Sequence, residues 1–298
     1  MVVRTSTAVV CVGTAALDTI AVVTRLPEPD GRIEASRILT AGGGPAATAA
    51  VAMARLGVRV ELSAVVGRDA AGDLVIEQLR VEGVGTRFIE RREGLETAQS
   101  LILVCENDAT RVIVTKPAVV IPSVPDGFEW VHVDQAGYQS LGTGPRNYKL
   151  SVDDGNPVPG FSAEGIDLYA PTVAVLSQRF PGSLEAAGHA ATAAGAGQIV
   201  ATDGANGSYI FTNGSPRHIP AYPVHAASTL GAGDVFHGAL LAGVVQGRPL
   251  HDAVRMASTC AAISCRGLDG RSAIPTLTEL DEALASTEFT THSEGAIA

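Results

Sequence analysis

The stretch Ser228-Thr229-Leu230-Gly231-Ala232-Gly233-Asp234-Val235-Phe236-His237-Gly238-Ala239-Leu240-Leu241 decides how the rest of the chain is read. Small residues at 231 to 233 let backbone N–H groups converge with no side chain in the way. Apolar periodicity from Val235 starts a helix directly after them. A helix N-terminus with free N–H groups is an anion site, suited to the charge on a transferring phosphoryl group. Asp234 at that edge has the chemistry of a base that accepts a proton from an attacking hydroxyl. By themselves the same residues also describe a tight turn with Asp234 as a plain helix cap.

Working outward, short β-branched runs recur between glycine turns and alanine-rich helical patterns. Strands are expected at Ala8 to Val12, Leu101 to Val104, Val112 to Val114, Val131 to Val133, Val173 to Leu176 and Ile199 to Val200. Helices are expected at Pro45 to Leu56, Ala70 to Val81, Leu184 to Ala194, Val235 to Val245 and Leu250 to Cys265. Strands alternating with helices imply βαβ units and a mainly parallel sheet. Thr19 to Thr40 and Thr97 to Lys116 break the rhythm, with strand-like runs and no helix between neighbours. They are expected to pair as an antiparallel flap, a natural lid for a substrate. Gly137 to Gly160 reads mostly as loop, strand-like at Leu150 to Val152, and from Glu288 the chain is expected to fray.

Composition bounds the function. The 298 residues are 46% hydrophobic and 17% charged, a globular balance, and aromatics make up only 4%, so Ala, Val, Leu and Ile must build the core. A net charge of −10 argues against a broad nucleic-acid or anionic-membrane surface. Cys11, Cys105, Cys260 and Cys265 form no CxxC pair and have no clustered His, which reads as reduced core residues and no metal site. The run Ala8 to Val12 is too short and too soon interrupted for a membrane span or a leader, so a soluble cytoplasmic protein is expected.

A second glycine stretch, Ala41-Gly42-Gly43-Gly44-Pro45-Ala46-Ala47-Thr48, opens an alanine-rich pattern that closes at Gly57. Glycines allow close approach of a ligand, Pro45 suits a helix's first turn and Gly57 its end; a plain strand-to-helix turn packed on a sheet accounts for them too. Upstream stand Gly13 and Asp18, the latter either a carboxylate that accepts from two hydroxyls or a surface turn residue. Downstream comes Thr202-Asp203-Gly204-Ala205-Asn206-Gly207, a weak glycine pattern when taken alone.

Together, and in this order, these segments resemble the signatures of the ribokinase/PfkB family of sugar kinases, most closely from Gly231 to Leu240. The resemblance implies one ribokinase-like kinase domain over 1–298, an α/β three-layer sandwich with a mainly parallel central sheet. Its small β lid would come from about 19–40 and 97–116. It implies Asp234 as catalytic base with Gly231, Ala232 and Gly233 as anion hole. Asp18, Gly43, Gly44 and Thr48 are implied as sugar-binding residues. Thr202, Gly204, Gly207 and Thr229 are implied to bind ATP, with Mg²⁺ on its phosphates. A homodimer sealed through the lids is also implied. Two departures stand out: Ser228-Thr229 replaces the usual Asp-Thr, and Thr48 stands where many relatives have a sugar-binding Asn.

The Gly-Gly-Gly-Pro-Ala-Ala-Thr-Ala-Ala run, the segment Gly270-Arg271-Ser272-Ala273-Ile274-Pro275 and the loss of Asn-x-x-Glu at Ser177-Gln178-Arg179-Phe180 resemble a subgroup acting on the 1-hydroxyl of 6-deoxy-6-sulfofructose. A sulfonate needs cationic or N–H donors. Arg32 and Lys116, with Thr115 as a neutral donor, are the expected anion pocket, while Ala136-Gly137 stands where the subgroup places an arginine. Other acceptors in the same chemistry are fructose 6-phosphate, ribose or a nucleoside, the last disfavoured by the scarcity of aromatics. From another class comes a non-catalytic sugar- or nucleotide-binding module, which would have no need of a base at Asp234.

Overall fold

The computed structural model describes residues 8–107, 109–117, 120–212 and 215–286, so the tail from Glu288 lies outside the described residues. In chain order the first half forms β1 (Val9–Val12), β2 (Ala16–Val23), β3 (Arg37–Gly43), α1 (Pro45–Arg55), β4 (Val60–Gly67), α2 (Ala70–Val81), β5 (Gly85–Arg92), β6 (Ala98–Cys105) and β7 (Arg111–Lys116). Then follow β8 (Trp130–Val133), α3 (Gln135–Tyr138), β9 (Lys149–Asp154), β10 (Leu168–Pro171), α4 (Val173–Arg179), α5 (Leu184–Ala193) and β11 (Gln198–Thr202). The chain continues through β12 (Ser208–Phe211), β13 (Arg217–Ile219), α6 (Ala232–Val245), α7 (Leu250–Ser264) and α8 (Leu277–Ser286).

Nine strands make the central sheet in the order β13-β12-β11-β10-β9-β8-β1-β4-β5. All its pairings are parallel except β11 with β12 and β12 with β13. Parallel strands covered on both faces read as unbroken apolar runs, and β1 is buried at every position. Its side chains alternate between layers: Val9 and Cys11 join Met53, Leu240 and Met256 on one face, and Val10 and Val12 join Tyr169 and Ala187 on the other. These are the three layers of the sandwich. Few aromatics suffice because small residues bring helices close. An added Cβ at Gly238 of α6 would lie 2.3 Å from the Ala49 carbonyl of α1. All four cysteines are buried and free.

A separate four-stranded sheet, β3-β2-β6-β7, stands beside the first. Both breaks in the rhythm contribute to it, but the pairing differs from the expected flap. Each stretch forms an antiparallel pair, β2 with β3 and β6 with β7, and the two pairs join through a parallel pairing of β2 with β6.

The expected strand at Val173 to Leu176 is instead helix α4. The strand is the preceding Leu168–Pro171, and Thr172 ends it by capping the helix, its Oγ1 accepting from Val175 N–H at 3.2 Å. With a cap at Thr172, the buried pair Val175 and Leu176 becomes one helical stripe.

Candidate active site

A cavity of about 700 Å³ lies at the carboxyl ends of β1, β8 and β9, roofed by the inner face of the small sheet. Open parallel sheets bind ligands at this edge, beside the point where the chain reverses its order of strands. Here that point is β1, with β4 on one side and β8 on the other.

The first turn of α6 forms one wall. Gly231 caps it in the left-handed region at φ 71°, and its Cα packs so near Gly270 that an added Cβ would come within 2.8 Å. The first intrahelical bond runs from Val235 N–H to the Gly231 carbonyl at 2.9 Å. The N–H groups of Gly233 and Asp234 therefore have no intrahelical acceptor. Gly231, Gly233 and Asp234 line the cavity, whereas Ala232 does not.

Asp234 is half-buried on the cavity wall, and burial, reinforced by the Asp153 carboxylate, pushes its pKa up to about 7. His237, one turn along α6 and only 4% exposed, holds Nδ1 2.9 Å from Asp153 Oδ2. Burial works against the charged imidazole, but the Asp153 carboxylate outweighs it and raises the His237 pKa. Burial and His237 together push the nearby His132 down to about 4, leaving it a neutral partner of Ser151. Asp134 serves as a staple: its carboxylate accepts from Thr14 N–H at 2.7 Å, Gly137 N–H at 2.9 Å and Ala46 N–H at 3.3 Å. Gly13 is required there, because an added Cβ would lie 2.1 Å from Asp134 Oδ1.

Asp18, 8% exposed on β2, lines the opposite wall in the small sheet, so it is no surface turn residue. Its carboxylate presses on Gly43, where a Cβ would come within 2.0 Å. Burial raises its pKa, while Ser100 and Arg271 pull it down. Gly43, Gly44 and Thr48 share this wall, and Thr48 Oγ1 accepts from Arg271 Nε at 3.1 Å.

The expected anion pocket is not assembled. Arg32 is exposed in the connection between β2 and β3, and Lys116 pairs with Glu96 on the exterior. Neither lines the cavity, although Thr115 does. Successive strand residues face opposite ways, so Thr115 and Lys116 could not both point inward. Among the described lining residues, Arg111 is the one arginine or lysine, and its guanidinium donates to Thr229 Oγ1. Thr229 itself stays outside the lining. So does the loop from Thr202 to Gly207, which adjoins the cavity where Thr202 bridges Thr172. Gly204 and Gly207 take positive φ of 54° and 96° in that loop.

Residue-by-residue reading of the sequence passed over Asp134, Asp153, His237, Arg111 and Arg271 as site residues. Asp134 directly follows β8 and Asp153 lies in the last two residues of β9, and an acid at the carboxyl end of a buried parallel strand is itself the signal. Ser177-Gln178-Arg179-Phe180 presents no acid to the cavity. Arg179 instead pairs with the fully buried Asp154, its Nη2 2.8 Å from Oδ1. Among the described residues no group of three or more His, Cys, Asp or Glu is arranged to hold a metal ion, and no helix is long and apolar enough to cross a membrane.

Comparison with known proteins bears on the family and the fold. The model of the pfkB family carbohydrate kinases matches residues 6–144 and 176–277. The chain belongs to the pfkB family. This kinase is 26% identical to the ribokinase of Bacillus subtilis (strain 168) over 293 residues, covering 93% of this chain and 99% of that one. The solved ribokinase of Thermotoga maritima superimposes with a TM-score of 0.77 at 21% identity, over 94% of this chain and 99% of that one. The Arabidopsis thaliana ribokinase complexed with ribose and ATP gives 0.75 at 20% identity, over 94% and 99%. The fold is ribokinase-like, and the enzyme is an ATP-dependent carbohydrate kinase.

Proposed function

We propose that this kinase transfers the γ-phosphoryl group of ATP to a primary hydroxyl of a sugar held between Asp18 and Asp234. The observation that carries this reading is the cavity itself: a carboxylate and the unpaired N–H groups of the α6 turn face the same space as a buried carboxylate of the small sheet. Asp234 accepts the proton of the attacking hydroxyl, and the N–H groups around Gly231 to Gly233 offset charge developing on the phosphoryl oxygens. Asp18 accepts hydrogen bonds from sugar hydroxyls. The loop from Thr202 to Gly207, with Thr229, receives the nucleotide. The small sheet is the lid that excludes water, which would otherwise compete as acceptor.

Mg²⁺ fits a site of hard oxygen donors with few protein ligands: Asp153 and Asn156 face the cavity, and a cation there would be held through nucleotide phosphates and water. When bound, it offsets phosphate charge.

For the acceptor we infer 6-deoxy-6-sulfofructose, from the resemblance at residues 42–50, 177–180 and 270–275. With Arg32 and Lys116 outside the cavity, Arg111 is, among the described lining residues, the cation left to meet a sulfonate. A homodimer through the small sheets is proposed on the apolar outer face they expose at Ile38, Leu101 and Val114.

The test is ATP- and Mg²⁺-dependent phosphorylation of 6-deoxy-6-sulfofructose, fructose 6-phosphate, fructose and ribose, with Asp234→Asn as control. The expected result is a large preference for sulfofructose and a loss of at least about 10³-fold in the variant. Preference for another sugar removes the sulfonate reading and keeps the kinase. No turnover with any acceptor, alongside measurable ATP or sugar binding, supports a binding module instead.

A further inference from the structure

The segment Asp269-Gly270-Arg271 lies between the two walls of the cavity. On one side Gly270 packs against Gly231 of the α6 turn. On the other, the Arg271 side chain reaches the glycine stretch that precedes α1. Asp269 Oδ1 fixes the backbone here, accepting from Arg271 N–H at 2.9 Å and Ser272 N–H at 2.6 Å. Arg271 is 6% exposed, and its Nη2 donates to the Gly43 carbonyl at 2.6 Å. Nη1 lies over Gly42, where an added Cβ would come within 2.4 Å, so Gly42 is the residue that admits the guanidinium. Nε completes the fork on Thr48 Oγ1 at 3.1 Å.

The last contact constrains chemistry at the cavity wall. A guanidinium only donates, so Thr48 Oγ1 must accept from it and retains its own proton. Among the described residues no protein group accepts that proton, and Thr48, itself 2% exposed, lines the cavity with Gly43, Gly44 and Asp18. The wall thus offers a hydroxyl committed to donating, near a carboxylate that accepts.

We propose that Arg271 is a positioning residue for the acceptor: by occupying Thr48 Oγ1 it commits that hydroxyl to donate a hydrogen bond to a sugar oxygen. The inference rests on the sugar-kinase reading above and assigns a residue to its acceptor site. A lysine cannot replace the arginine, because it lacks the planar fork that spans Thr48 and Gly43 together.

Steady-state kinetics on Thr48→Val, Thr48→Ser, Arg271→Lys and Thr48→Val/Arg271→Lys test it, using the best sugar of the panel above and thermal melting of each variant. Thr48→Val is expected to raise the sugar KM by about 5- to 10-fold, the effect of one hydrogen bond, with the ATP KM unchanged. Thr48→Ser keeps the hydroxyl and should restore most of the sugar KM lost in Thr48→Val. Arg271→Lys should raise the sugar KM as well, and combining it with Thr48→Val should add nothing further, because both act through one hydroxyl. A wild-type sugar KM in Thr48→Val overturns the proposal, as do additive losses in the double variant or an Arg271→Lys variant that melts lower with its KM unmoved. If the wild type phosphorylates no sugar, the kinase reading fails, and calorimetric titration of the same sugars into wild type and Thr48→Val decides this inference separately. Weaker binding to Thr48→Val supports it; equal binding, or no binding to either, overturns it.

Discussion

Asp234 must be ionised to take a proton, yet burial and Asp153 push its pKa up to about 7, with Asp134 adding to them and His237 and Arg271 opposing. The acid limb of kcat/KM, which reports the free enzyme, is therefore expected near pH 7 rather than in the ordinary carboxylate range. His237→Gln leaves the Asp153 charge unopposed and should move that limb to higher pH. Adding Asp153→Asn should bring it back down. A pH profile that His237→Gln leaves unmoved would show that the buried pair does not act on the base. The same carboxylate bears on stability. Its folded pKa lies above the unfolded value, so its contribution is fully present below about pH 4 and is lost as pH rises through about 7. Asp234→Asn removes a half-buried charge above that window. It should melt higher than wild type at pH 8, by about 2–4 °C for each kcal/mol recovered, and show a smaller gain at pH 5. Asp234 was readable from its place after a glycine turn. Asp153 and His237, 84 residues apart in the sequence, meet only across the fold.

At the scale of elements, the glycine stretch before α1 is shaped by side chains from elsewhere. Gly43 yields to Asp18 of β2 and Gly42 to Arg271, so the sequence run predicted the turn but not what crowds it. Gly43→Ala would set a Cβ 2.0 Å from Asp18 Oδ2, and sugar kcat/KM is expected to fall at least about tenfold in steady-state assays, the loss of one charge-assisted hydrogen bond. Caps are local and therefore legible. Ala70 to Val81 is helical with the bounds expected from periodicity, and Asp69 caps it by accepting from Gly72 N–H at 2.8 Å. The same carboxylate reaches Thr97 N–H at 2.8 Å, at the edge of β6. Asp69→Ala should cost about 1–2 kcal/mol, read as a lower melting temperature. Where a short apolar run fits two periods, the sequence misleads: Val173 to Leu176 reads as strand until Thr172 is seen to cap it. Lys116 fails for a related reason, since being adjacent to Thr115 in a strand places it on the opposite face.

For the whole molecule, two sheets meet over one cavity, and the outer face of the smaller sheet remains apolar. Ile38, Leu101 and Val114 are 69%, 62% and 63% exposed. Leu101 pairs with Val114 across β6 and β7, which gives the face a contiguous centre. If this face joins two copies, Leu101→Lys/Val114→Lys should shift sedimentation from dimer to monomer without lowering the melting temperature of the monomer. A wild-type chain that sediments as a monomer at all concentrations removes the dimer. Strand–helix alternation, and with it a mainly parallel sheet, was legible along the chain, as was the α6 turn bearing Asp234, because strand periodicity, helix periodicity and glycine turns are properties of neighbouring residues; the three-layer sandwich was implied by the family resemblance. Which charges share the cavity was settled by the packing of distant segments. Arg271 comes to Thr48 across 223 residues and Arg111 to Thr229 across 118, whereas Arg32 and Lys116 stay outside. The physical reason is that a side chain's neighbours through space depend on strand order and on the face it occupies, and neither is written in the residues beside it.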